Sequence, residues 1–385
     1  MSAYDAATGA IYAARGQLVG LSHFIHAHPE LGYQEFESAE ASAHAAEAAG
    51  FVVERGVASL PTAFRALKGS GPLNIVFCAE YDALPDVGHA CGHNIIAAAS
   101  LGAAIGLGAV ADEVGVTVTL LGTPSEEGGG GKIDLIKAGY FEGVHAAMMV
   151  HPWPGDLLEA TCLAVDHFDV TYTGKEAHAS AGPWEGINAL DALTIAQVAI
   201  GLLRQQLRPG DQVHGITTEG GSAANIIPSH VVGRFMARSV TAERLAVLRA
   251  RLRGCFEAGA LATEASMSMT ELGNSFSHMV CDDDLLAHYR AQAEAIGRRF
   301  DADDDGRAKP TISTDMANVS LVVPTIHPLL GIPTHGAINH QPEFTAACVT
   351  PEADRAVLDG AIALARTAIA VAQDTALRAR LLSRP

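Results

Sequence analysis

Residues 88–94, "GHACGHN", bring His89, Cys91 and His93 within five positions of one another, in a loop that opens on Gly88. Cysteine thiolate and neutral imidazole are first-choice donors for zinc-like ions, and a two-residue spacing lets Cys91 and His93 reach one cation. Alone, the loop fits equally well a thiol packed beneath a turn. A nucleophilic cysteine is a third option, which its flanking residues do not suggest. A second stretch, "GTPSEEGGGG" (122–131), sets Glu126 against Glu127. Adjacent carboxylates repel unless a cation, a proton or solvent relieves them. In a metal hydrolase, one of such a pair binds the ion while its neighbour takes a proton from the activated water. In an ordinary glycine turn both are solvated. His151 in "MMVHPWP" ends an apolar run before a proline expected to stop the strand, where a lone histidine also reads as a core residue. "AINHQPEF" offers His340, although spacing gives no reason to prefer it to His327 or His335.

These groups need elements to hold them. "LNIVFCAE" (73–80), "VGVTVTLLGT" (114–123) and "AAMMVHP" (146–152) read as short buried strands, with helical patterns such as Ile95–Val110 between them. Strands alternating with helices predict an α/β fold, a mostly parallel sheet with helices on both faces. The polar clusters follow directly after each strand, and ligands in open α/β sheets bind beyond the strands' carboxyl ends. Three separate segments therefore deliver His, Cys and Glu to one edge. That convergence says more than any one motif.

The first fifty residues are helical in pattern, broken by a turn at "HAHPELGYQEFES". From about Val165 the rhythm changes: "DHFDVTYTG", "QVHGITTEG", "HVVGRFMARSV" and "ASMSMTELG" read as strands. Between them lie helical patterns over 187–207 and 241–263, the latter capped by Thr241. The order β-α-β-β-α-β predicts a ferredoxin-like α+β domain over 166–276, inserted as a lid or dimerisation domain into a catalytic domain made of 1–165 and 277–385. The chain then returns with a helix near Asp283–Phe300, an acidic loop "DADDDG", and a closing helix from Pro351 to Leu377.

Bulk properties narrow the partners. The 385 residues are 49% hydrophobic and 18% charged, a globular profile with an ample core. A formal net charge of -18 argues against nucleic acid or anionic membrane as partner. The run Ile95–Ala111 is uncharged but too short and too rich in Ala and Gly for a membrane span. Six scattered cysteines and an N-terminus without a visible signal peptide point to the cytoplasm.

In this order, "HPELGYQEFES", "EYDALPDVGHACGHN", "PSEEGGGG", "MMVHP", "GKEAHAS", "NIIP" and "NHQPEF" resemble the dinuclear metallo-amidohydrolases and peptidases. That family includes glutamate carboxypeptidases, aminoacylases and hippurate hydrolases. "AEYDALP", "CGHN" and "STDMANVS" look closest to its p-aminobenzoyl-glutamate hydrolase and β-alanyl-dipeptidase branch. The resemblance spans nearly the whole chain. It implies two divalent ions, zinc or manganese with cobalt or nickel as alternatives, held by Cys91, His93, Glu127, His151 and His340. Cys91 would be shared by both ions, Glu126 would be the general base, and Asp82 an acid that orients a metal-binding histidine. His178 would steady the oxyanion, usually in the partner subunit's site, while Asn225 and Arg238 would bind substrate carbonyl and carboxylate. Asn94 departs from the Asp that hippurate-type members carry, which bears on the support of the second ion.

The expected activity is metal-dependent hydrolysis of the amide of an N-acyl amino acid or dipeptide, by a homodimer paired through the lid. Alternatives are an aminoacylase or hippurate-type deacylase, a peptidase of the same family, a catalytically silent metal-containing binder, and a cysteine hydrolase using Cys91.

Overall fold

The computed structural model describes residues 1–300 and 309–384, so the acidic loop "DADDDG" lies outside the described residues. The chain falls into two compact units, Met1–Thr161 with Met279–Pro385, and Cys162–His278.

The first unit is built on a six-stranded sheet. Its strands are β1 (Val52–Arg55), β2 (Phe64–Lys68), β3 (Leu73–Ala79), β4 (Val116–Gly122), β5 (Ala146–Met148) and β13 (Thr325–Ile326), in the order β1-β2-β4-β3-β5-β13. The pairs β3–β4, β3–β5 and β5–β13 are parallel, while β1–β2 and β2–β4 are antiparallel. The expected mostly parallel sheet is present, extended at one side by an antiparallel pair that was not anticipated.

Strand periodicity divides the core. Successive side chains point to opposite faces, so Ile75 and Phe77 of β3 join one apolar cluster and Val76 and Cys78 another. On the first face lie the N-terminal helices Ala3–Ala13 and Arg15–Ala27, with His93–Gly108 and Pro351–Gln373. On the second lie Leu135 of the helix Gly131–Lys137 and Met316 and Val319 of Met316–Ser320.

Every residue from His93 to Ala104 is buried, which explains why this helix carries no charge. Burying a Leu or Ile side chain contributes roughly 1.5–3 kcal/mol. Ile95, Ile96, Leu101 and Leu107 together therefore rival the net stability of a whole domain. A Cβ on Gly102 would lie 2.7 Å from Ala361 Cβ and 2.9 Å from Leu18 Cδ1, so glycine lets three helices close on one another. Pro351–Gln373 is the one described helix long and apolar enough to cross a membrane, and most of it is buried here.

Two boundaries differ from the expectation. The "AAMMVHP" strand ends at Met148, and His151–Trp153 forms a separate strand, β6, paired in parallel with β14 (Leu329–Gly331). Pro152 does not stop β6, because the ladder uses the N–H groups of His151 and Ile332 on either side and never needs a donor from the proline. The closing helix breaks at Asp374, whose carboxylate accepts from the N–H groups of Ala376 and Leu377 and starts a new helix, Thr375–Leu382. The helix at Asp283 likewise stops at Ala295, before Gly297, whose φ is +94°.

The second unit carries β8 (Ala164–Thr173), β9 (Gln212–Glu219), β10 (His230–Ser239) and β11 (Ser266–Glu271), all antiparallel in the order β11-β8-β10-β9. Its helices, Ala189–Leu203 and Ala242–Thr263, share a core with Phe168, Phe235 and Phe256. This is the ferredoxin-like arrangement. Two short strands, β7 (Thr161–Cys162) and β12 (Thr311–Ile312), complete the set.

Candidate metal centre and active site

Three strand ends and one distant loop assemble a cluster in the first unit. The chain leaves β3 through Glu80 and Asp82 and reaches Cys91 and His93, where the helix His93–Gly108 begins. Between them Gly92 has φ +74°, and a Cβ there would meet Pro152 at 2.8 Å and Cys348 Sγ at 3.1 Å. Only glycine fits, and its turn aims the thiol and the imidazole to the same side.

Beyond β4, Ser125 is held at φ +58°, its N–H donating to Glu35 Oε1 at 2.7 Å. The N–H groups of Gly129 and Gly130 donate back to the Ser125 carbonyl, at 3.2 and 2.7 Å. This turn directs Glu126 and Glu127 inward. His340 arrives from far along the chain, its N–H donating to the Ala90 carbonyl at 3.0 Å. It holds φ +72°, a conformation that side chains other than glycine rarely adopt and that clusters at functional sites.

The donor atoms fall into overlapping groups. Cys91, His93 and His151 offer atoms within 4.8 Å of one another, and so do Cys91, Glu127 and His340; Cys91 belongs to both. Glu80, His93 and Glu126 form a third group by the same measure. His93 Nδ1 lies 2.9 Å from Asp82 Oδ1, and Asp82 Oδ2 accepts the Glu127 N–H at 2.9 Å. Asp82 therefore fixes both the imidazole and the carboxylate loop. With its Nδ1–H committed, His93 turns Nε2 toward Glu80 Oε2 at 3.6 Å, Glu126 Oε2 at 3.9 Å and Glu127 Oε1 at 3.9 Å. His151 donates Nδ1–H to the Pro152 carbonyl at 2.9 Å, which likewise leaves its Nε2 as an acceptor.

These residues fit divalent cations. Glu80 Oε2, His93 Nε2 and Glu127 Oε1 are buried without a hydrogen-bond partner, which is costly for facing acceptors unless a cation lies between them. Burial, then Glu80 and Glu127, push the Glu126 carboxyl well above its ordinary range. Burial, then Glu127, push the Cys91 thiol up as well. An unassisted thiol nucleophile needs the opposite, whereas a cation among these groups would favour the ionised form of each. Burial holds His151 down at about 3 and His327 at about 4, so both rings are neutral. His93 is held up instead, because Asp82 and Glu80 outweigh its burial.

Sequence reasoning missed a buried charged triad beside this cluster. Lys132 Nζ donates to Glu80 Oε1 and to Asp315 Oδ1, both at 2.6 Å, and the Lys132 N–H donates to Asp315 Oδ2 at 2.9 Å. All three side chains are fully buried. One ammonium serves two carboxylates unequally: Glu80 is held low, as Lys132 outweighs its burial, while burial pushes Asp315 up to about 6. The available signal was position. Glu80 directly follows the apolar run of β3, Lys132 follows four glycines, and Asp315 lies within "STDMANVS". His327, which spacing could not rank against His340, is buried, with its ring centroid 5.5 Å from that of His151.

Asn94 is fully buried and held through its amide nitrogen, while its Oδ1 has no hydrogen-bond partner. Its Nδ2 donates to Ser22 Oγ at 2.9 Å and to the Cys348 carbonyl at 3.0 Å. The departure from Asp thus concerns helix packing, since a carboxylate could not donate to that carbonyl.

The remaining predicted residues belong to the second unit. His178 is exposed, and its Nδ1 accepts the N–H groups of Ser180 and Ala181 at 3.2 Å, so the proton sits on Nε2. The Ala179 N–H donates to the Asn225 carbonyl at 3.0 Å, which sets exposed Asn225 beside the His178 turn. Arg238 is half-buried on β10, opposite Val165 of β8 and Gln212 of β9, and burial lowers its pKa.

Known proteins share this sequence and fold. The sequence model of peptidase family M20/M25/M40 matches residues 76–368. The Xaa-Arg dipeptidase of Mus musculus is 40% identical over 377 residues, covering 93% of this chain and 86% of that protein. A p-aminobenzoyl-glutamate hydrolase chain of Escherichia coli (strain K12) is 32% identical over 279 residues, 67% of this chain and 58% of that one. Among solved structures, the Bacillus subtilis YXEP protein, a dinuclear metal binding peptidase, superposes with a TM-score of 0.70 at 22% identity, covering 94% of this chain and 99% of its own.

Proposed function

The chain belongs to peptidase family M20/M25/M40 and is a metallohydrolase of amide or peptide bonds, and on that premise we propose that it cleaves dipeptides or N-acyl amino acids with Glu126 as general base. The observation that carries this reading is the meeting of two donor groups that share Cys91, with Glu126 beside them.

Cys91, His93 and His151 would hold one ion, and Cys91, Glu127 and His340 the other. When bound, such ions polarise a carbonyl and lower the pKa of water towards about 7. A thiolate among the donors favours zinc over manganese.

The chain's own groups do the rest. Asp82 keeps the His93 proton on Nδ1 and holds the Glu127 backbone in place. Glu126 takes the proton of the attacking water and returns it to the departing amine nitrogen. The resemblance assigns His178 to the oxyanion in the partner subunit's site, and Asn225 and Arg238 to the substrate carbonyl and carboxylate, the guanidinium serving as a two-pronged donor. Glu126→Gln should cut kcat by about 10²–10⁴ while zinc content and melting temperature stay at wild-type values. Full activity in that variant would remove Glu126 from the role of base.

Among substrates, a dipeptide ending in arginine ranks first, because the relative named for that activity matches almost the whole chain. p-Aminobenzoyl-glutamate ranks second. A panel of both, with N-acyl amino acids and β-alanyl dipeptides, decides between them. Dimerisation through the inserted unit is supported by β9, an edge strand whose Ile216 is exposed; light scattering of the eluted protein tests it. Six free cysteines support a cytoplasmic location.

A further inference from the structure

Glu80 lies outside both donor sets just assigned, yet it is built into the cluster. It is fully buried at the end of β3, and its Oε1 is taken by Lys132, which Asp315 anchors in turn. That grip leaves Oε2 buried, without a partner, and facing His93 Nε2 at 3.6 Å. The separation is too long for a hydrogen bond, and once a metal takes the place of the Nε2 proton, with the other proton kept on Nδ1 by Asp82, both facing atoms are acceptors. It does match the spacing of two donors on one ion: ligand bonds of roughly 2.0–2.2 Å in tetrahedral array put neighbouring donors about 3.3–3.6 Å apart.

We propose that Glu80 is a further protein ligand of the cation held by Cys91, His93 and His151, with Lys132 and Asp315 as the residues that position it. The proposal rests on the two-cation reading above. It makes the two positions unequal. Glu80 would bring the Cys91, His93 and His151 set to four protein donors, three of them buried, the donor count of a closed site. Cys91, Glu127 and His340 supply three donors, and the His340 side chain is 62% exposed, the pattern of an open and exchangeable ion.

The test is a zinc titration of chelator-stripped full-length protein against a chromophoric competitor, with elemental analysis and melting curves of the stripped and loaded forms. Wild type should take up two ions per chain in a tight and a weak step. Glu80→Gln keeps an oxygen for Lys132 but turns an amide toward His93. It should weaken the tight step by a factor of about ten or more. Its stripped form should melt lower than wild type, since Lys132 keeps only Asp315 as a charged partner, so ion binding and not melting is the deciding readout. His340→Ala should lose only the weak step. Tight binding unchanged in a folded Glu80→Gln variant would overturn the proposal. Should Glu80→Gln fail to fold, a crystal structure of zinc-loaded wild type decides. Glu80 Oε2 at about 2.0–2.2 Å from the ion supports the assignment, and a separation beyond about 3 Å removes Glu80 while leaving the two-cation reading intact. Wild type that binds no zinc sinks both.

Discussion

Asn94 shows how one atom type decides a position. Its amide donates to Ser22 Oγ and to the Cys348 carbonyl, at full burial. Asn94→Asp would remove both donors and leave a buried charge with no counter-ion, a change that costs about 3–5 kcal/mol where pairs have been broken elsewhere. Thermal unfolding of the stripped protein should therefore show a large drop, with no gain in zinc affinity. A variant as stable as wild type would return Asn94 to the metal centre. Asp82 presents the complementary case: Asp82→Ala frees the His93 tautomer, and zinc affinity should fall by about 10–100-fold with every proposed ligand untouched. Cys91, His93, Glu126 and Glu127 were legible because each pair lies within a few residues in a glycine-flanked loop. His340 was legible only by resemblance, since its neighbour in space, Ala90, is remote in sequence. Glu80, Lys132 and Asp315 were not legible. A charge on a turn is usually solvated, and nothing local says that positions 80, 132 and 315 share one buried ion network.

At the scale of elements, what matters is how tightly loops are pinned to strand ends. Gly92 is one such point, with left-handed backbone and Pro152 of β6 where a Cβ would have to lie. Gly92→Ala would combine backbone strain with a clash, roughly 1–3 kcal/mol. Because the clash lies between Cys91 and His93, zinc affinity should fall together with the melting temperature. Stability lost with zinc affinity intact would show that the turn does not aim the ligands. The strands β3 and β4 could be read from their apolar runs, since burial on both faces demands such runs. The pair β1 and β2 could not. "VVER" and "FRALK" are short and carry charge, and an antiparallel edge open to solvent tolerates that. The break between Met148 and His151 was hidden for a related reason. Apolar side chains continue through Met149 and Val150, and only a change of pairing partner from β13 to β14 separates the two strands.

At the scale of the whole chain, the architecture followed from rhythm: helices alternating with buried strands, then a run of half-exposed strands. Which distant segments would meet did not follow, because that depends on sheet order. β13 lies beside β5 although the whole second unit separates them in sequence. Charge is the property that needs no such knowledge. With a formal net charge of -18, the chain carries a negative field that attracts cations and repels anions over a range set by salt. The screening length shrinks from about 30 Å at 0.01 M to about 8 Å at 0.15 M. A dipeptide ending in arginine and p-aminobenzoyl-glutamate therefore make a matched probe. Added potassium chloride should lower kcat/KM for the cationic dipeptide and raise it for the anionic amide, and the ratio of the two should shift by about tenfold. Both rates moving in the same direction would mean that salt acts on the bound ions or on the fold. Opposite movement would add an electrostatic reason, independent of any relative, for ranking the basic dipeptide first.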